Sequence, residues 1–274
     1  MSATDSTNGT GETNGSNDAD GTNGIGDANG TDSTIGAEAT NGTDDANSTS
    51  GMDDRPPQYA PGPHTPTPAV AAPAGSRADA ITAFHAGLDG PTWNIAGWGS
   101  AELQRVRFEA LLRAAAYRGG SVLDWGCGPA DLYFHLRSVN RSMNLPVDYT
   151  GVDLDPRMVE LATSRGAPNV ALLAQGHAPE GRYDYVFASG IFQFADPEDP
   201  LYYLTILEHM YDISRRAVAV NFLSAQRPEA AKAPDELYVD PAVAARFAAA
   251  LTDRWVIDHG YHPQAGDFTL ALLR

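Results

Sequence analysis

Ser121-Val122-Leu123-Asp124-Trp125-Gly126-Cys127-Gly128-Pro129-Ala130-Asp131-Leu132 is the stretch on which the fold turns. A short apolar run ends in an acid. Two glycines one residue apart follow, then a proline and the start of a segment with apolar residues at helical spacing. This order predicts a buried strand, a tight glycine turn and a helix N-terminus. Glycine has no Cβ, so backbone amides there can approach a ligand closely, and the first helical turn adds N–H groups without intrahelical partners. Together they make a cradle for a polar, nucleoside-like ligand at the carboxyl end of a parallel strand.

Working outward, Asp148-Tyr149-Thr150-Gly151-Val152-Asp153 reads as a second strand. It ends in a carboxylate able to accept hydrogen bonds from two ribose hydroxyls. Upstream, Leu103, Val106, Phe108, Leu111, Leu112 and Ala115 recur at helical spacing between Ser100, an N-cap, and Gly119-Gly120, a stop. A helix over about 131–140 follows the glycine turn, and Asp155-Pro156 opens another, with Met158, Leu161 and Ala162 inward and Gly166 past its end. Further strands are predicted at 169–174, 183–188, 217–222, 255–261 and 268–273, with helices at about 200–214 and 241–251. Alternating strands and helices imply a doubly wound α/β sheet, mostly parallel, of seven strands. The last two strands are joined by too short a loop, His262 to Asp267, for a crossover helix, so they run antiparallel.

Composition divides the chain. Residues 1–54 contain no Lys, Arg or aromatic residue, and Thr-Asn-Gly or Ala-Asn-Gly recurs at Thr7, Thr13, Thr22, Ala28 and Thr40. Such a segment buries too little apolar surface to offset its ordering entropy, and is read as disordered. A Pro/Ala-rich linker follows to residue 75, which leaves 76–274 as one folded domain. Eleven of the 35 acids lie in residues 1–54, so the formal charge of −17 falls to −6 without them. A mildly acidic domain argues against a nucleic-acid partner. The sequence shows no signal-like segment and no apolar run long enough to span a bilayer, and its single cysteine, Cys127, makes no internal disulfide. A cytoplasmic location is the expectation.

The run Leu123-Asp124-Trp125-Gly126-Cys127-Gly128-Pro129, with Asp153 some 25 residues on, resembles class I S-adenosylmethionine-dependent methyltransferases of small-molecule type over roughly residues 80–274. The resemblance implies a strand order of 3-2-1-4-5-7-6 with S-adenosylmethionine as cofactor. It implies cofactor contacts from Asp124, Gly126, Cys127 and Gly128, with Asp124 either ordering the loop or reaching the methionine amino group. Asp153 then takes the ribose and Leu154 packs on the adenine. Gln175, Gly176 or His177, after the third strand, stands where the family usually has an acid near adenine. Ser189 and Gly190 line the methionine portion, and Phe192 either faces the incoming substrate or packs in the core. Trp98, in Trp93-Asn94-Ile95-Ala96-Gly97-Trp98-Gly99-Ser100, belongs either to a lid over the cofactor or to a hydrophobic staple for the next helix. Gln104 and Arg107 can reach the cofactor carboxylate, or Arg107 is a solvated or ion-paired helix residue. Where the family often has a third glycine this chain has Ala130, small enough to keep close packing.

The resemblance implies methyl transfer to a small molecule, a secondary metabolite among them, or to a peptide, by in-line displacement on the sulfonium methyl. Positioning carries most of the rate. Candidate bases are His85, Glu208, His209, His259 and His262, none in a recognisable catalytic pair. Asp196, Glu198 and Asp199 cluster, but Pro197 and Pro200 mark a turn, so no metal is assigned. Two other readings stand beside this one. One is a methyltransferase-like domain that binds a partner without catalysis. The other is a nicotinamide oxidoreductase, whose fingerprint wants a glycine where this chain has Asp131.

Overall fold

The computed structural model describes residues 77–174, 177–262 and 266–274. The tail and linker read at 1–75, together with Gln175 and Gly176, lie outside the described residues.

Helices α1 (Arg77–Ala86) and α2 (Thr92–Ile95) lead into α3 (Ala101–Ala114). Ser100 caps α3, its hydroxyl accepting the Leu103 N–H at 3.1 Å. Then come β1 (Gly120–Trp125), α4 (Asp131–Met143), β2 (Val147–Asp153), α5 (Pro156–Ser164), β3 (Val170–Leu172) and β4 (Tyr183–Ala188). Asp155 caps α5 by accepting the Arg157 N–H at 2.9 Å, with Pro156 at the first helical position. The remainder is α6 (Tyr202–Ile213), β5 (Ser214–Ser224), β6 (Tyr238–Val239), α7 (Pro241–Leu251), β7 (Trp255–His259) and β8 (Asp267–Leu273).

The sheet order is β3-β2-β1-β4-β5-β8-β7, which is the order 3-2-1-4-5-7-6 expected from the resemblance. β1, β2, β3, β4 and β5 run parallel, and β8 is antiparallel to both β5 and β7. An eighth strand departs from the seven expected. β6, two residues long, pairs with the end of β5 at Leu223 and Ser224, and so short a strand leaves no run of sequence to read. The helix expected at 131–140 continues to Met143, and the strand expected at 169–174 contracts to three residues.

Both faces of the sheet are covered. Val218, Val220, Phe222, Leu270 and Leu272 point toward α6 and α7, where Tyr203, Leu207 and Met210 meet them. Ala217, Ala219 and Ala271 alternate with them and point toward α3, α4 and α5, beside Leu111, Leu132, Leu136 and Ala162. In β5 and β8, period-2 alternation thus sends these large side chains to one face and the alanines to the other, where Tyr149, Tyr185 and Phe187 of the neighbouring strands fill the space. It also explains the nearly unbroken apolar strands, which are buried on both sides.

A buried ion pair ties α3 to the reversed strand. Arg107 Nε donates to Asp267 Oδ2 at 2.6 Å, and the side chains are 9% and 2% exposed. Arg107 also donates to the Leu103 carbonyl at 2.9 Å, and Tyr261 donates its hydroxyl to the same Asp267 oxygen at 2.8 Å. Of the two readings of Arg107, this is the ion-paired one. Removing one partner of such a pair leaves a buried charge uncompensated. Asp267→Ala is therefore expected to lower unfolding free energy in urea by about 3–5 kcal/mol, with Asp267→Asn costing less. A loss below about 1 kcal/mol would show that the pair behaves as a surface contact.

Candidate functional site

The carboxyl ends of β1, β2 and β4 open into one cleft, lined by Asp124, Gly126, Cys127, Gly128, Asp153, Leu154, Ser189 and Gly190, with Trp98 from the segment before α3. The structure therefore brings together every described residue expected at the cofactor.

The glycine turn is built differently from its sequence expectation. Gly126 and Gly128 have φ of +77° and +52°, in the left-handed region, and a methyl group on Gly126 would overlap the Ile191 side chain. The Gly126 and Cys127 N–H groups donate to the Val152 carbonyl at 2.8 and 3.0 Å, and the Ala130 N–H to the Cys127 carbonyl at 2.9 Å. The Gly128 N–H donates to Asp153 Oδ2 at 2.7 Å. These amides hold the turn itself. Gly126, lacking a Cβ, makes room for Ile191, while at Gly128 an added Cβ would meet only Ala96, at 3.9 Å, so what that glycine offers a ligand is close approach to the backbone rather than a donor. Ala130 is fully buried with φ +61° and ψ +36°. A left-handed non-glycine residue costs about 1–2 kcal/mol, so this position suits the family's glycine for conformation as well as for packing.

Asp153 uses both oxygens. Oδ2 takes the Gly128 N–H and Oδ1 the Asp155 N–H at 2.9 Å, which leaves lone pairs for further donors. Burial raises its pKa, and the two amides oppose that. Asp124 is more severely desolvated. Burial pushes its pKa up to about 7 against the Tyr149 hydroxyl, which donates at 2.7 Å, while Asp153 and Asp131 add repulsion. Burial likewise pushes the Cys127 thiol up, so it is a neutral wall residue and not a nucleophile. Asp131 is better compensated, by Arg165 at 2.8 Å and the Gln104 amide at 2.9 Å. Gln104 lines the cleft too.

Trp98 forms a wall of the cleft. The Arg107 guanidinium lies 4.9 Å from its ring centroid, and a Cβ on Gly190 would come within 3.3 Å of the indole. Ser189 donates its hydroxyl to Asn221 Oδ1 at 2.8 Å, which fixes the end of β4 to β5.

Phe192 requires correction. Its side chain is 1% exposed and stacks on Phe222 at 4.9 Å, beside Tyr202 and Tyr203, within the core. Ile191, Gln193 and Phe194 line the cleft instead. Among the candidate bases, His209 contacts the Pro179 carbonyl at 2.9 Å and His259 the Ser224 hydroxyl at 2.9 Å. Of the five, only His85 lines the cleft. Asp196 Oδ1 accepts the Glu198 and Asp199 N–H groups, which is the turn read from the prolines. Sequence reasoning missed helix α1 and its residues Arg77 and Ile81, which line the cleft together with the candidate base His85. Their spacing of four was the available signal.

No family model matches the chain. It is 32% identical over 128 residues to the Mycobacterium tuberculosis protein named "Putative methyltransferase Rv1506c", a match covering 44% of this chain and 74% of that one. Among solved structures, the DhpI–SAH complex is similar at TM-score 0.51 and 16% identity, over 71% of this chain and 95% of that one. The magnesium protoporphyrin IX methyltransferase ChlM from Synechocystis PCC 6803, with bound SAH, is similar at TM-score 0.50 and 14% identity, over 72% and 97%. At such identities the two structures speak for the fold, and the mycobacterial relative speaks for the family. The chain belongs to the class I S-adenosylmethionine-dependent methyltransferases.

Proposed function

We propose that this protein binds S-adenosylmethionine in the cleft and transfers its methyl group to a small molecule, a secondary metabolite among them, or to a peptide. One observation carries the reading: two incompletely neutralised carboxylates, the buried Asp124 and the half-buried Asp153, face a cleft walled by an indole and the glycine turn. That set of acceptors suits a ligand with cationic centres and a diol. Asp124 serves the ammonium end and Asp153 the ribose hydroxyls, while Leu154 packs on the base and Ser189-Gly190 border the methionine portion. Gln175 and Gly176 are kept as adenine contacts on sequence grounds. S-adenosylmethionine supplies a methyl already activated on sulfonium. The protein's part is to hold an acceptor in line and keep water out. Ile191, Phe194 and Ile206 give the cleft an apolar flank for the body of an acceptor.

Calorimetry with S-adenosylmethionine and with NAD, followed by transfer of labelled methyl groups across a metabolite and peptide library, tests the reading. Micromolar binding of the former alone, with label transferred, is expected. Binding without transfer to any acceptor would favour the non-catalytic module, and binding of NAD alone would overturn both.

Asp153→Ala is expected to weaken S-adenosylmethionine binding at least tenfold, about 1.4 kcal/mol. It also leaves two amides without an acceptor, at a cost of about 1–3 kcal/mol in urea unfolding. A folded variant with unchanged affinity would sink the ribose assignment.

The Asp124 pKa is raised from 3.8 to about 7 in the folded protein. The native state therefore keeps a proton that the unfolded chain releases between those values. Ligand-free stability falls as pH rises from about 4 to about 7 through this group, then levels off. Asp124→Asn is expected to flatten that decline in denaturation curves taken at successive pH values. Binding a cation favours the ionised carboxyl, so affinity for S-adenosylmethionine should rise from pH 6 to pH 8, with proton release visible in calorimetry across buffers. Pairing with Asp124 would be excluded by pH-independent binding.

A further inference from the structure

Helix α1 lies across the mouth of the cleft and is fastened near both ends. At its start, the Arg77 guanidinium lies 4.2 Å from the Tyr202 ring centroid and 4.0 Å from Asp196. These are residues of the β4–α6 side. Past its end, Arg157 donates one N–H to the His85 carbonyl at 2.6 Å and another to the Leu88 carbonyl at 2.8 Å. Arg157 stands in the first turn of α5, four residues after Asp153. From Arg77 to His85 is eight residues, about 12 Å of helix, enough to bridge the cleft from the β4 side to the β2 side. Arg77, Ile81 and His85 form its cleft-facing stripe.

His85 is the residue of that stripe at the β2 end. Its Nδ1 is buried with no well-aligned hydrogen bond inside the protein, the Ile81 carbonyl one turn back offering the ring at most a weak one. The ring is held edge-on to Phe84, with centroids 5.3 Å apart. Burial lowers its pKa below 6.5, although the Asp155 carboxylate and the Ile81 carbonyl pull the other way and Arg157 adds to the lowering. The imidazole is therefore neutral at pH 7 and can donate or accept. A buried polar atom left short of partners is uncommon, and this one belongs to a residue that lines the cleft at its β2 end.

We propose that His85 is a nucleoside-binding residue, hydrogen-bonding the adenosine half of the cofactor from the α1 strap, at the β2 end of the cleft. The inference rests on the cofactor reading above and adds to it a contact from outside the central sheet. His85→Phe retains an aromatic ring against Phe84 but cannot hydrogen-bond. His85→Ala removes both ring and hydrogen bond, and His85→Gln restores a polar group.

Titration calorimetry with S-adenosylhomocysteine, and competition with adenosine, test it on the full chain, with melting temperatures recorded for each variant. His85→Phe and His85→Ala should weaken both ligands by the same factor, roughly three- to tenfold, and His85→Gln should recover part of the loss. Wild-type affinity in His85→Phe would overturn the proposal, because the ring then acts by packing alone. A loss for S-adenosylhomocysteine but not for adenosine would overturn it as well, by moving the contact to the amino-acid half. Wild-type protein that binds neither ligand would instead refute the cofactor reading, and the role of His85 with it.

Discussion

Two backbone N–H groups from different loops end on one carboxylate. Asp153 accepts the Gly128 N–H at 2.7 Å and the Asp155 N–H at 2.9 Å, while the residue before it, Val152, accepts Gly126 and Cys127 through its carbonyl. The last two residues of β2 thus hold both the turn that leaves β1 and the entry to α5. Hydrogen bonds to an ionised acceptor are roughly twice as strong as neutral ones, and the amides concerned have no other place to go once buried. The shape of the cleft floor follows from this clasp. The carboxylate proposed to read the ribose also sets the glycine turn, so binding and local architecture share one side chain.

The cost of this arrangement is electrostatic. Asp131 is met by a guanidinium, but Asp124 is met by a tyrosine hydroxyl and Asp153 by amides. Dipoles stabilise an anion without cancelling its charge, and burial leaves both pKa values raised. A protein selected for stability alone would do better with neutral groups at 124. The proposed cationic cofactor would restore the balance on binding, at the expense of the empty state.

The strand-turn-helix at 121–132 is legible because each part has its own local signal: apolar run, glycine pair, helical spacing. The caps at Ser100 and Asp155 are legible for the same reason, and the antiparallel close of the sheet follows from a loop too short to cross over. What escaped depends on contacts distant in sequence. Phe192 sits in a segment leaving β4, where no period tells inward from outward, and its stacking on Phe222 comes from β5. The use of the turn amides on Val152 and Asp153 depends on the β1–β2 pairing. The position of α1 depends on Arg157 and Tyr202, 72 and 125 residues downstream of the groups they meet.

The same dependence links the cleft wall to the core. Trp98 lies against Arg107 on one side and Gly190 on the other, and Arg107 in turn is held by Asp267 at the start of β8. A cation stacked on indole is worth about 0.5–2 kcal/mol depending on desolvation, too little to fix a loop unaided. Here the cation is already immobilised by a buried carboxylate, so the indole meets a surface whose ordering cost is borne by the fold. Asp267 pairs in register with Leu223 at the carboxyl end of β5. The reversed strand, which distinguishes this sheet from an ordinary dinucleotide-binding one, therefore also supports the cleft. It brings an acid to the one place where it can lock Arg107, and through Arg107 it holds the aromatic wall beside the glycine at the end of β4.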